Sequence, residues 1–388
     1  MLDGSDYPSA KGSPRQSILF SDGLPAPKVL RPHQVRALEL LRAAMHPNGG
    51  NLRRVVIAAP TGAGKTLLSA KIIEGALAKG NRVIFTAPQV NLIDQTVEAF
   101  EAEGIRDIGV MQANHPRTDA GALVQVASVQ TLAKRLIPPA SLVIVDEAHI
   151  RSETVERLMA ERPDAYFVGL TATPWSKGMG RVWQDLVIPC TIGSLIDAGL
   201  LSKFTVYAPD VPDLSRVKVE RGDYAEQQLA DLMGDAKLVG NVVGTWLEKG
   251  EGRPTLVFGV NRAHARRLAD EFERAGIATA YVDGNVDRIA RKRIADQFRS
   301  GEVRVVTSVR TMTTGVDLPV SCIVDAAPTK SEMLHVQKIG RGLRVNPGTE
   351  DCVSSESLVL TDKGEIKIRD VTLDHKVWDG VEFVQHSG

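Results

Sequence analysis

From Arg54 onward the chain alternates between short, apolar, β-branched runs and longer stretches whose apolar positions recur every three or four residues. The first series of runs covers 54–59, 82–87, 124–128, 142–147 and 166–173. Each run is continuously apolar, as a strand covered on both faces requires, and each is followed by a helical pattern. A parallel sheet with helices on both sides is the predicted result. The regularity lapses after Pro174 and returns with runs at 254–260, 279–284, 303–309 and 322–328. Between the first two of these, 261–276 reads as a helix closed by Gly276, a residue suited to a C-cap. The pattern therefore predicts an α/β protein of two tandem parallel-sheet domains.

The ends differ in texture. Residues 1–28 are rich in Pro, Gly and Ser without periodicity and read as a flexible leader. The two α/β domains are expected over 29–204 and 205–351. Residues 352–388 form a short all-β segment, in which 357–368 and 375–384 each place apolar runs around a Gly-containing turn. Asp379-Gly380 is a strong two-residue hairpin signal. This end carries seven acidic and four basic side chains and looks foreign to the rest.

Composition narrows the picture. At 388 residues with 43% hydrophobic content, the chain can bury a core in each of two or three domains, and wholesale disorder is excluded. No apolar run is long enough to span a bilayer, and the N-terminus lacks the layout of a secretory signal, so a soluble, cytoplasmic chain is expected. Three scattered cysteines are too few for a disulfide framework or zinc site. Cys190 and Cys322 follow apolar runs and read as core, Trp175 as packing, and His335 as structural. With 47 basic and 47 acidic groups, any attraction to nucleic acid must come from local patches. Arg288, Arg291, Lys292 and Arg293 form one such basic helical stretch, readable as phosphate contacts or as a solvated helix face.

The candidate chemistry begins at residues 59–66, APTGAGKT, between a strand and a helix. A bound triphosphate needs backbone N–H groups turned inward, a lysine for its outer phosphates and a hydroxyl for magnesium. Gly62, Ala63, Gly64, Lys65 and Thr66 supply these, with Ala59 standing where the pattern usually has glycine. Further on, the run at 142–145 ends in Asp146-Glu147-Ala148-His149. At the C-terminal end of a neighbouring parallel strand, Asp146 is suited to hold Mg2+ and Glu147 to polarise an attacking water.

Together these two motifs resemble the DEAH-type helicases and translocases of superfamily 2, and further segments fit in order over roughly 28–351. LRPHQ (30–34) resembles the adenine-reading segment, which implies a base contact for Gln34. The stretches 86–95 and 127–132 resemble segments that grip a nucleic-acid backbone. Thr171-Ala172-Thr173-Pro174 resembles the motif that couples hydrolysis to strand movement, and His149 and Gln337 are implied to share that coupling. TTGVDLP (313–319) resembles a motif whose Gly315 and Asp317 reach the nucleotide from the second domain. QKIGRGLR (337–344) resembles the motif that carries arginine fingers, here Arg341 and Arg344. The resemblance implies two RecA-like domains, ATP and Mg2+ as cofactors, and a nucleic-acid partner. GRGLRVNPGTEDC is similar to the RadD-like and phage DNA-repair branch, which favours DNA over RNA. An ATPase switch that remodels or anneals without unwinding has the same motifs.

From Cys352 the chain resembles the first block of an intein of the Hint family, in which a junction cysteine attacks the preceding carbonyl. The resemblance makes Cys352 the nucleophile of a splicing precursor. The downstream Thr-x-x-His block and terminal His-Asn pair of a complete intein are not found between Gly364 and Gly388. Two readings remain open: a split intein with a separately encoded C-terminal intein and extein fragment, or a truncated sequence. In either case the helicase is expected to be impaired until joined.

Overall fold

The structure, a computed structural model, describes residues 28–88, 90–208, 212–309 and 318–345, with 358–367, 374, 376–378 and 383–385 near the C-terminus. All but the last residue of the expected leader, together with Gly315, Asp317, Cys352 and Asp379-Gly380, lies outside the described residues.

Helix α1 (Pro32–Met45) opens with proline in its first turn, where the missing N–H costs nothing. The alternating series then runs β1 (Arg54–Ala58), α2 (Lys65–Leu77), β2 (Val83–Ala87), α3 (Ile93–Ala102), β3 (Ile108–Met111), β4 (Val124–Ser128) and α4 (Val129–Leu132). It continues through β5 (Leu142–Asp146), α5 (Glu153–Glu161), β6 (Tyr166–Thr171), α6 (Met179–Val182), β7 (Asp185–Val187) and α7 (Ile192–Asp197). The seven described strands form one sheet, parallel at every pairing, in the order β3-β4-β2-β5-β6-β1-β7. Strands β2 and β4 are buried along their whole length, which explains why their sequences do not alternate. One face packs Ile57, Phe85, Phe100 and Ile144, with Phe85 and Phe100 edge to face at 5.1 Å. The other packs Val143, Leu158, Phe167 and Trp183.

The strand order corrects one expectation. β5, which carries Asp146, is not the direct neighbour of the phosphate-loop strand β1, because β6 lies between them. Thr171, the last residue of β6, is thereby placed between the two halves of the site. Strands β3 and β7 were not legible as runs. Their four and three residues are too short to display a period.

The stretch without regularity contains the hairpin β8 (Val219–Glu220) and β9 (Asp223–Tyr224), then α8 (Glu226–Met233) and α9 (Ala236–Lys249). A second parallel sheet follows through β10 (Thr255–Phe258), α10 (Arg262–Arg274), β11 (Thr279–Val282), α11 (Arg288–Ser300), β12 (Val305–Ser308), β13 (Cys322–Asp325) and α12 (Glu332–Ile339), in the order β11-β12-β10-β13. Asn261 caps α10 by accepting from the His264 amide at 2.9 Å, and Gly276 takes the left-handed conformation just beyond its end. Near the C-terminus, β14 (Leu358–Thr361), β15 (Gly364–Lys367), β16 (Lys376–Trp378) and β17 (Phe383–Gln385) form an antiparallel sheet in the order β15-β14-β16-β17.

The two α/β units meet where the chain leaves α12. Leu201 and Arg344 form an antiparallel bridge, and the Ser202 amide donates to the Leu343 carbonyl at 2.8 Å. Leu343, 2% exposed, enters the same apolar cluster as Leu195 and Leu201. Leu343→Ala should weaken this docking by about 2–5 kcal/mol while sparing both sheets, since Leu343 belongs to neither. Small-angle scattering should then show a larger radius of gyration; an unchanged profile would contradict the assignment.

Candidate nucleotide site and inter-domain relay

The phosphate loop leaves β1 and turns into α2 at Gly64, with Gly62 and Gly64 at φ +86° and +80°. Both lie in the left-handed region that glycine enters without strain. Ala63 is buried and Thr66 exposed. The Lys65 ammonium donates to the Ala59 carbonyl at 3.2 Å, so the lysine lies back over its own loop. Gln34 is 3% exposed. Its amide donates to the Ala63 and Gly64 carbonyls at 3.1 and 3.3 Å, while its side-chain oxygen accepts from the Arg31 amide at 2.9 Å. His33, which the sequence reading passed over, has a ring nitrogen 2.9 Å from the Ala63 oxygen. The segment at 30–34 is thus fastened to the backbone of the phosphate loop.

Asp146 ends β5 half-buried. Desolvation first, then the neighbouring Glu147, pushes its carboxyl up to about 7 against the opposing pull of Lys65. A carboxylate so short of positive charge suits a cation. Magnesium needs only one or two protein oxygens beside the phosphates, so Asp146 and the Thr66 hydroxyl are a sufficient donor set. Glu147 sits at φ +49°, a strained conformation for a non-glycine residue, and its Oε2 is buried without a hydrogen-bond donor.

The His149 ring joins the two domains. Its Nδ1 lies 2.9 Å from Thr171 Oγ1 and 3.3 Å from Glu147 Oε2, and its Nε2 lies 3.4 Å from Gln337 Nε2 on α12. Burial lowers its pKa, so the ring is neutral near pH 7. The Gln337 amide donates to Nε2, which leaves the proton on Nδ1 for Thr171. Thr171 Oγ1 in turn accepts from the Thr173 amide at 3.0 Å. His149, Thr171, Thr173 and Gln337 therefore form one connected group beside Glu147, assembled from the chain at the ends of β5 and β6 and from α12.

The arginines arrive by close backbone approach. A Cβ on Gly340 would stand 2.9 Å from Thr61 Cβ of the phosphate loop, so glycine is needed for the end of α12 to sit there. The stem of Arg344 lies over Gly62, at 3.9 Å from where a Cβ would be. Arg341 is close enough to Glu147 for that carboxylate to stabilise its charge, although burial, the larger effect, lowers the pKa of both arginines. Lys338, 2% exposed, anchors α12 within the second domain by donating to Asp325 Oδ1 at 2.7 Å and the Ala327 carbonyl at 2.6 Å.

Other expectations divide. Cys190 is buried in the first core, and Cys322 packs against the second. His335 lies 3.7 Å from Asp325, and no metal cluster occurs among the described residues. Arg291 spends its guanidinium on the Asp283 and Val286 carbonyls, whereas Lys292 and Arg293 are exposed. Trp175 contradicts the packing expectation: it is 57% exposed, because the chain after β6 leaves the sheet before reaching Trp183, which fills the core instead. His33, Thr61 and Gly340 were missed, since each matters through a contact with a residue distant in sequence.

A phosphate loop, a carboxylate pair and arginines delivered from a second parallel-sheet domain meet at one candidate nucleotide site. Residues 27–176 match the family model described as Type III restriction enzyme, res subunit, and residues 236–346 match the Helicase conserved C-terminal domain. Together these two helicase-type matches span most of the chain and group it with the superfamily 2 helicases. It is 28% identical over 295 residues to a 51.5 kDa protein of a Lactococcus phage, covering 74% of this chain and 62% of that protein. It is 33% identical over 249 residues to IRC3 of Saccharomyces cerevisiae, provisionally named an ATP-dependent helicase, covering 59% of this chain and 36% of IRC3. The chain thus spans only part of these relatives. Among solved structures, the ATP-dependent Type ISP restriction-modification enzyme LlaBIII bound to DNA shares the fold, with TM-score 0.64 and 18% identity over 84% of this chain and 27% of that one. Yeast Dbp5 bound to RNA and ADP BeF3 matches with TM-score 0.52 and 18% identity, over 81% of this chain and 80% of that one.

The raised Asp146 pKa has a measurable consequence. A cation must displace the proton held below about pH 7, so affinity for Mg2+ should fall by about tenfold for each pH unit below that point. Titrating Mg2+ against nucleotide-loaded protein between pH 5.5 and 8.5, roughly the range that brackets such a group, tests this. Asp146→Asn should bind weakly and lose the pH dependence.

Proposed function

We propose that the chain is an ATP-driven, nucleic-acid-dependent helicase or translocase, with DNA preferred to RNA. The observation that carries the reading is the Gln337–His149–Thr171 connection, which ties the hydrolytic carboxylates to the second domain. Lys65 and the loop amides bind the triphosphate, Gln34 reads the base, and Thr66 and Asp146 hold Mg2+. The resemblance of their motif assigns Gly315 and Asp317 to the nucleotide as well. An ion held by Thr66 and Asp146 would neutralise charge on the phosphates. Glu147 takes the proton from the attacking water, and Arg341 and Arg344 stabilise negative charge that develops on the transferred group. Because these arginines belong to the other domain, hydrolysis requires the docked arrangement, and loss of the bound triphosphate releases it. Docking and release then move the backbone-gripping segments 86–95 and 127–132 relative to the second domain. The preference for DNA rests on the resemblance of GRGLRVNPGTEDC to the DNA-repair branch, since solved structures of the same fold hold DNA in one case and RNA in another.

Parallel ATPase assays with single-stranded DNA, duplex DNA and RNA, beside a strand-displacement assay, test the reading. Stimulation by DNA with displacement is expected. Stimulation without displacement identifies the remodelling switch, and no response to any nucleic acid refutes the proposal. Glu147→Gln should lower turnover by about 100- to 10,000-fold while leaving ATP binding intact.

We further read the segment from Cys352 as the N-terminal part of an intein, which makes this chain a cytoplasmic splicing precursor in a bacterial or phage-infected cell. The antiparallel sheet at 358–385, unlike either parallel sheet, supports a separate origin for that segment. Cys352 attacks the Asp351 carbonyl and converts the peptide bond to a thioester. Co-expression with a C-terminal intein fragment should yield ligated helicase, and Cys352→Ala should abolish ligation; no ligation from the unmodified chain would refute the split form.

A further inference from the structure

The loop that leaves the C-terminal end of β6 carries a large side chain that the fold does not use. Trp175 is 57% exposed, whereas Trp183 and Trp246 are 7% and 5% exposed. Leaving an indole in water forfeits one of the largest apolar burials a side chain can offer. Trp175 takes part in no ring stacking or cation–π contact among the described residues. Two residues on stands Lys177 and then, past the left-handed turn at Gly178, Arg181. Both are exposed, and neither enters an ion pair among the described residues. Arg151, which lines a cavity together with Lys177, is by contrast paired with Glu156. The loop thus presents a flat aromatic face beside two uncommitted cations.

Its position gives that surface a use. The loop departs from the same sheet edge as the segments following β2 and β4, because all these strands are parallel. It is also joined to the hydrolytic centre. The Thr173 amide is held by Thr171 Oγ1, and Ser176, Lys177 and Met179 share a small cavity with His149 and Ile150. A ligand on the loop would therefore bear on the residues that link the two domains.

We propose that Trp175 is a stacking platform for a base of single-stranded nucleic acid, with Lys177 and Arg181 on the flanking phosphates. The inference rests on the nucleic-acid reading above. An indole face accepts any base, so the contact is independent of sequence. A duplex keeps its bases stacked on each other, so the platform selects the single strand. The two cations supply the attraction to backbone phosphate that a neutral chain cannot provide globally.

The test uses the full chain and a single-stranded DNA that contains a fluorescent base analogue, a matched strand without bases and a duplex of the same length. Wild-type protein should quench the analogue. Trp175→Ala should lose the quenching and bind the single strand roughly 5- to 100-fold more weakly, and Trp175→Phe should recover most of both. Affinity for the abasic strand and for duplex, and ATP turnover without nucleic acid, should not change. Replacing Lys177 and Arg181 by Ala should flatten the salt dependence of single-strand binding by about 1.4 in log–log slope. Equal binding by wild type and Trp175→Ala overturns the inference alone, as does an equal loss on the abasic strand. Failure of wild-type protein to bind any nucleic acid overturns the underlying reading instead.

Discussion

The short pairing between 201–202 and 343–344 is the interaction on which the site depends. One bridge, one hydrogen bond and the burial of Leu343, beside the Gln337–His149 contact and the approach of Gly340 to Thr61, hold the end of α12 against the phosphate loop. Without them the two sheets would be separate cores, each carrying part of a site. On the proposed reading, Lys65 and a cation held by Thr66 and Asp146 would meet the phosphates from the first domain alone. Arg341 and Arg344, and the Gln337 contact to His149, come from the second.

The position of β6 gives the relay its form. Because this strand lies between the phosphate-loop strand and the strand of Asp146, its terminal Thr171 stands beside both. His149 spans the remaining gap, bonded to Thr171 on one side and to α12 on the other. Burial keeps the ring neutral, so it can donate through Nδ1 and accept through Nε2 at the same time. A charged ring would have two donors and would repel the Gln337 amide hydrogens. The buried Lys338–Asp325 pair serves the same geometry from behind, fixing α12 to the second domain so that its far end is aimed.

Much of this was legible in sequence. Continuous apolar runs marked nine strands of the two sheets, since a strand buried on both faces has no polar alternation to disguise it. The phosphate loop was legible for a similar reason: its function is performed by consecutive residues, and glycine, lysine and threonine are required at fixed spacing. Strands β3 and β7 escaped because three or four residues cannot establish a period. Trp175 was misread because an aromatic residue after an apolar strand usually returns to the core, and here Trp183 had already filled that space.

The sequence by itself determined the class of fold, the order of its motifs and the local chemistry of each, because those follow from periodicity and from contacts between near neighbours. Only the tertiary structure decided that β6 separates β1 from β5, that His33 and Gln34 grip the phosphate loop and that Gly340 must lack a side chain to pass Thr61. Each of these is a meeting of residues far apart along the chain. Such meetings are set by how two sheets pack and dock, and that packing leaves no period in the order of the amino acids.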